Sequence, residues 1–458
     1  MNNALTGQSQ ITEIRNVFVP DFFDFSVAEN MTVKINDGII ESVAPAEEDV
    51  PKRSLETDRD DPGVIDGGGM VLIPGMTNMH AHTAMTLLRG SAEDCKPVDW
   101  FNKHIWIYEQ GLIPDDIYVG TLLGGAEMLL NGVTAVADHY FAMDRAWRAY
   151  DELGMRADLS WALFGMGDAV EQNLQAALDF NAEYMSKSSR IGISMGPHSP
   201  YLCPDDFLKR IAGIAGRDGL KMHIHVAEDA RQVEISMKEY GKTPIEVLRD
   251  TGVLSLRGEA AAPTILAHAF YATDSDFKIM AESDCIAAHC PKTYLRGGDS
   301  HDFLPRGLAA GAGLGLGSDG PASNSTMNIA EAARLAALMG KSSSGNGEKA
   351  ALAQVLPLMF SGGKVLGLPN YGSVVPGAPA DLVILDLSTP EMFPGTNIFA
   401  DILYGLDGRN VHSVVVDGRL VVRDSKLLTV DYRALRDEAR TIASRLISTE
   451  ADAPMQEY

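Results

Sequence analysis

The sequence predicts a (β/α)8 barrel, the TIM-barrel class of α/β folds, carrying a small β domain built from both ends of the chain. Three observations lead there. Eight short apolar segments alternate with longer helical stretches, β-type sequence flanks that repeat on both sides, and histidines gather at the C-terminal ends of the apolar segments.

The N-terminal part, from Ile14 to Leu72, is β-like, with alternating stretches such as TVKINDGIIESVAP. The charged segment from Glu47 to Asp61 interrupts it and reads as a loop, and a small-residue cluster from Asp66 to Gly69 closes it. The eight segments follow: VLIPGMTNMH (71–80), GVTAVADH (132–139), MRADLSWALF (155–164), RIGISMGPH (190–198), LKMHIHV (220–226), TILAHA (264–269), CIAAHC (285–290) and GLGLGSD (313–319). Parallel strands covered on both faces read as nearly continuous apolar runs, as most of these do. From Gly372 the β pattern returns in GSVVPGAPADLVILDL and NVHSVVVDGRLVVRD. The expected boundaries are 1–68 and 372–458 for the two parts of the small β domain and 69–371 for the barrel. The low-complexity piece from Ser342 to Gly347 reads as a mobile loop.

The 458 residues carry 38 Lys+Arg against 62 Asp+Glu, a net charge of −24. Such a surface repels nucleic-acid phosphates and anionic membranes, which leaves a free small molecule as the expected partner. No apolar run reaches the roughly 18 residues a membrane span requires, and residues 1–20 show neither the basic nor the apolar region of a secretory signal. Four cysteines are too sparse for a disulfide scaffold. A cytoplasmic protein is expected, and a homo-oligomer is compatible with this.

His80, His82, His139, His198, His225, His268 and His289 fall at or just beyond the ends of proposed strands, which is the catalytic face of such a barrel. His80 and His82 form an H-x-H pair whose side chains share one side of a strand, where two neutral nitrogens can bind one divalent ion at about 2.1 Å. The fifth segment adds His225 and, three residues later, Glu228; the eighth ends at Asp319. Singly, each has a plainer reading: a core histidine, a solvated acid, a helix cap. Together they make a four-ligand metal site able to acidify a water toward neutrality, with Glu228 placed as a proton carrier. His268 would hydrogen-bond that water or serve as a further ligand. His139 and His289 read as structural, Cys285 and Cys290 as core, and His223 is expected to face the outer helices. The run GAGLGLG lacks the G-x-G-x-x-G spacing and reads as a tightly packed strand.

These residues resemble the amidohydrolase superfamily, in particular the 5-methylthioadenosine/S-adenosylhomocysteine deaminases, with the triazine hydrolases as relatives. The strings that carry the resemblance include VIDGGGMVLIPGMTNMHAHTAMTLLRGSAED, GPHSPYLC, HIHVAED, TILAHA, LGSDGPASNSTMN and GAPADLVILDLSTPEMFP. The resemblance implies a (β/α)8 barrel with a small β-sandwich assembled from both termini, and His80, His82, His225 and Asp319 as metal ligands, usually to one Zn2+, with Fe2+ as the alternative. It implies Glu228, His268 and Asp319 as the catalytic groups: Glu228 protonates a ring nitrogen, His268 holds the attacking water, and Asp319 takes the water proton. Trp100, Glu109, His198 and Glu228 match substrate contacts. Related two-metal hydrolases carry a bridging lysine on strand four; RIGISMGPH has none, which favours one metal and deamination chemistry.

Two departures bear on the substrate. Counted without gaps, an arginine of the family's third strand falls on Trp161, and a second one near residue 169 is missing. The segment after strand seven reads CPKTYLRGGDS, which brings Lys292, Tyr294 and Arg296 to the rim. The expected function is hydrolytic deamination of an adenosine-type heterocycle. The alternatives are hydrolysis of a triazine, pterin or guanine-like compound, amide or urea hydrolysis at the same site, and a catalytically silent binding barrel.

Overall fold

Residues 9–46, 62–95, 97–255, 258 and 263–448 are described by a computed structural model; the charged segment 47–61, read from sequence as a loop, lies outside them. Strands β1 (Glu13–Asp21), β2 (Ser26–Asn36) and β3 (Ile39–Pro45) form an antiparallel meander. In β2, Val33 and Ile35 are buried while Lys34 and Asn36 are exposed, the period-two alternation of a half-covered sheet. Strands β4 (Val64–Asp66) and β5 (Val71–Pro74) both run parallel to β1.

The segment 71–80 is thus two strands. At Gly75 the chain leaves the terminal sheet for the barrel, and a Cβ there would lie 2.0 Å from the Thr134 hydroxyl, so the crossing needs glycine. The barrel strands are β6 (Met76–Ala81), β7 (Val133–Tyr140), β8 (Arg156–Leu163), β9 (Ile191–Pro197), β10 (Lys221–Val226), β11 (Thr264–His268), β12 (Cys285–His289) and β13 (Leu314–Leu316), each parallel to the next. The ring closes where the amides of Ser318 and Asp319 donate to the His80 carbonyl, at 3.2 and 3.0 Å.

Strands β14 (Leu382–Leu385), β15 (Val411–Val416), β16 (Arg419–Arg423) and β17 (Lys426–Leu427) return to the terminal sheet, with β14 antiparallel to both β5 and β15. Its two halves close over one small core that includes Ile14, Val33, Ile40, Leu72, Leu382 and Val415. The barrel and the sandwich are tied by Arg156, at the foot of β8, which donates to Asp381 at 2.9 and 3.0 Å and to Asp417 at 2.8 Å.

The piece read as a mobile loop is helical at its start. The helix Ile329–Ser344 ends within it, Ser344 donates to the Gly340 carbonyl at 2.6 Å, and Gly345 caps the helix with a positive φ. Serine disfavours helix interiors but is readily accommodated in a last turn, where its hydroxyl can satisfy a carbonyl. Cys285 and Cys290 are buried as expected, and no helix among the described residues is long and apolar enough to cross a membrane.

Candidate active site

A cavity of about 530 Å3 opens at the C-terminal ends of the barrel strands. His80 comes from β6 and His82 from just past its end, His225 comes from β10, and Asp319 lies just past β13. His80 Nε2 and His82 Nε2 each lie 3.5 Å from Asp319 Oδ1, and all three ligand atoms are within 4.8 Å of one another. The other carboxylate oxygen, Oδ2, accepts from Thr293 at 3.0 Å and Ser323 at 2.6 Å. One oxygen is therefore anchored and the other is left to face the imidazoles. Asp319 has φ +60° and His268 φ +75°, a conformation that costs a non-glycine residue on the order of 1–3 kcal/mol and concentrates at functional sites.

The tautomers of two histidines are dictated by carbonyls, which can only accept. His82 Nδ1 donates to the His139 carbonyl at 2.5 Å, and His225 Nδ1 to the His198 carbonyl at 2.9 Å. Both Nε2 atoms consequently carry lone pairs, and they face each other at 3.1 Å. Two lone pairs cannot bond each other, but both can bind one cation. His80 Nε2 is buried without a hydrogen-bond partner among the described residues. Burial holds the His80 imidazolium down to about 3 and pushes His225 well below its ordinary value, so both are neutral, as ligands must be. Three imidazole nitrogens and one carboxylate oxygen form a donor set suited to zinc or another first-row divalent ion.

Beside this set, His268 Nε2 is 3.7 Å from Glu228 Oε1, and His268 Nδ1 is 3.1 Å from the Tyr294 hydroxyl. Tyr294 is held by face-to-face stacking on Phe270, with ring centroids 3.7 Å apart. Glu228 borders the cavity. Burial raises its carboxyl above the ordinary value, with His268 opposing, a bias that favours keeping a proton.

Trp100, Glu109 and His198 also line the cavity. Glu109 accepts from the Tyr140 hydroxyl at 2.5 Å. The structure thus brings together every residue singled out for the site. It corrects three readings around it. His223 faces the barrel interior, fully buried, with Nε2 2.8 Å from His80 Nδ1; it stands two positions before His225, with only Ile224 between them, so the strand period puts both on one side. Trp161 points the other way and packs on Phe180 of the outer helix Val170–Tyr184, with ring centroids 5.7 Å apart. Ala162 and Phe164 meet the cavity instead, and the Phe164 ring stacks on His198 at 4.9 Å. Lys292 is turned from the cavity to Glu331 and Thr326. His139 supplies a carbonyl to His82, and its own Nε2 donates to the Gly196 carbonyl at 3.1 Å. Both ring nitrogens of His289 are buried without partners. The anchors Thr293 and Ser323 went unread because a hydroxyl carries no signal until its carboxylate is placed.

A sequence profile of the amidohydrolase family matches residues 71–421. The 5-methylthioadenosine/S-adenosylhomocysteine deaminase of Pelotomaculum thermopropionicum is 36% identical over 388 residues, 84% of this chain and 88% of its own length. An adenosine deaminase from Xanthomonas campestris, solved with bound zinc, superposes with a TM-score of 0.86 at 28% identity, covering 95% of this chain and 98% of its own. The atrazine chlorohydrolase of Arthrobacter aurescens TC1, complexed with zinc, shares the fold with a TM-score of 0.82 at 22% identity over 94% of this chain and 99% of its own.

Proposed function

From the premise that this chain belongs to the amidohydrolase family, we propose that it is a metal-dependent aminohydrolase acting in the cytoplasm on a free adenosine-type nucleoside, of the 5-methylthioadenosine or S-adenosylhomocysteine kind. The observation that carries this reading is the meeting of four ligand atoms, from His80, His82, His225 and Asp319, with Glu228 and His268 on one cavity. The names of the relatives support the substrate class.

His80, His82, His225 and Asp319 would hold the ion, Zn2+ in preference to Fe2+. Bound there, a divalent ion supplies Lewis acidity and a water acidified toward neutrality. Glu228 gives its proton to the ring nitrogen next to the amino-bearing carbon, which makes that carbon electrophilic. His268, whose Nδ1 faces Tyr294, presents Nε2 toward the incoming water. The Asp319 carboxylate takes one proton of the water and passes it to the departing amine, while Glu228 recovers the other from the new hydroxyl, so that the ring carbon ends as a carbonyl and the amine leaves as ammonia. Trp100, Glu109 and His198 bind the base and its sugar side.

One observation favours a second substrate class. Ala162 and Phe164 give the end of the third barrel strand an apolar, flat wall, which suits a heterocycle without a sugar. Ammonia release from 5-methylthioadenosine, S-adenosylhomocysteine, adenosine, guanine, a pterin and an aminotriazine by the zinc-loaded protein separates the two. Turnover is expected with the nucleosides; turnover of the sugar-free rings alone would overturn the nucleoside assignment.

A further inference from the structure

We propose that His223 is a positioning residue for the metal, accepting the Nδ1 proton of His80 and so holding His80 in the tautomer whose Nε2 is free to bind the ion. The proposal rests on the metal site described above.

His80 Nδ1 and His223 Nε2 lie 2.8 Å apart, both residues fully buried. An N to N hydrogen bond carries one proton, on one atom or the other. His80 Nε2 lies toward Asp319 Oδ1, at 3.5 Å, and has no hydrogen-bond partner among the described residues. For that nitrogen to bind an ion it must be bare, so the single proton of the neutral ring sits on Nδ1 and His223 Nε2 accepts it. His223 then carries its own proton on Nδ1. That atom has no hydrogen-bond partner among the described residues, so nothing beyond His80 dictates the tautomer of His223.

This bond differs from those that orient the other two histidines. His82 and His225 rest on carbonyl oxygens, which fix one tautomer permanently. An imidazole can also donate. Without the ion, the same pair satisfies the reverse arrangement, with His223 Nε2–H donating to His80 Nδ1 and His80 Nε2–H turned to Asp319. Both arrangements hold the same number of protons. His80 is therefore the one histidine of the set whose tautomer can respond to loading, and His223 is the group that permits it. Outer partners of metal-bound histidines commonly govern affinity in this way.

The test compares the wild type with His223→Leu and His223→Gln as full-length proteins, reading zinc affinity by competition with a chromophoric chelator. His223→Leu is expected to weaken zinc binding roughly 10- to 100-fold. His223→Gln, which restores an acceptor oxygen, is expected to recover part of that loss, and at saturating zinc KM should stay near the wild-type value. Wild-type zinc affinity in His223→Leu, or equal losses in both variants, would overturn the assignment. On the wild-type protein itself, 15N spectra of labelled histidine in the zinc-loaded state should show a protonated His80 Nδ1 and a bare His223 Nε2; the opposite pattern would overturn it without any variant. A wild type that binds no zinc would sink the metal site itself, a failure distinct from these.

Discussion

His82 Nε2 and His225 Nε2 face each other at 3.1 Å, each ring having already spent its proton on a carbonyl. Without a cation between them the contact is repulsive. Chelation should therefore lower the melting temperature, and zinc should restore it. A ligand present at 1,000 times its Kd stabilises by about 4 kcal/mol, several degrees in a thermal melt. An unchanged melt after verified metal removal would contradict the ligand set.

Glu228 faces His268 Nε2 but takes no part in the facing ligand atoms. Glu228→Gln is expected to slow turnover by a factor on the order of 10²–10⁴ with zinc content unchanged. Elemental analysis beside steady-state kinetics separates the two effects, and loss of zinc along with activity would count against the proton-carrier role.

Gly317 lets β13's exit pass close to β6. A Cβ there would lie 2.9 Å from Cys290 Sγ and 3.1 Å from both the Cβ and the carbonyl oxygen of His80. Gly317→Ala should cost about 1–3 kcal/mol through overpacking and weaken zinc binding by shifting His80. The control is Gly213→Ala in the helix Asp205–Asp218, where the new methyl meets nothing within 4 Å; its urea midpoint should hold or rise.

Because Trp161 packs outward on Phe180 while Phe164 stacks on His198, Trp161→Phe should leave KM for the substrate unchanged and Phe164→Ala should raise it. A KM change confined to Trp161→Phe would restore the inward orientation that the ungapped count suggested.

Arg156 joins the barrel to Asp381 and Asp417. Arg156→Met strands a buried Asp381 carboxylate, an expected loss of about 3–5 kcal/mol in urea denaturation. The double variant with Asp381→Leu should recover most of it. If the double variant is no better than the single one, the carboxylate is not the source of the loss.

Much of this was legible in the chain itself, because buried parallel strands write themselves as apolar runs and the metal-type residues sit at their ends. His80, His82, His225 and Asp319 could be read from strand period and position alone. What escaped was of two kinds. Misjudged parity hid His223, although its spacing from His225 was sufficient to place it. An ungapped count across strands put Trp161 where Ala162 and Phe164 stand, because loop lengths between strands are not fixed by anything local. The anchoring hydroxyls of Thr293 and Ser323, and the stacking of Tyr294 on Phe270, depend on contacts between segments, which no single stretch of sequence records.

The placement of β14 between β5 and β15 has a consequence for how the chain comes off the ribosome. Strand β5 ends at Pro74, but the neighbour that pairs with it begins at Leu382. At ordinary rates of synthesis that is a wait on the order of tens of seconds, during which one edge of the nascent sheet has no native partner. The acids of the terminal sheet meet Arg156 only after that wait ends. Barrel strands can pair in order as they emerge, whereas the sandwich stays unfinished until nearly the whole polypeptide has been translated, so a ribosome stalled short of residue 382 would release a barrel with an open, pairing-competent edge.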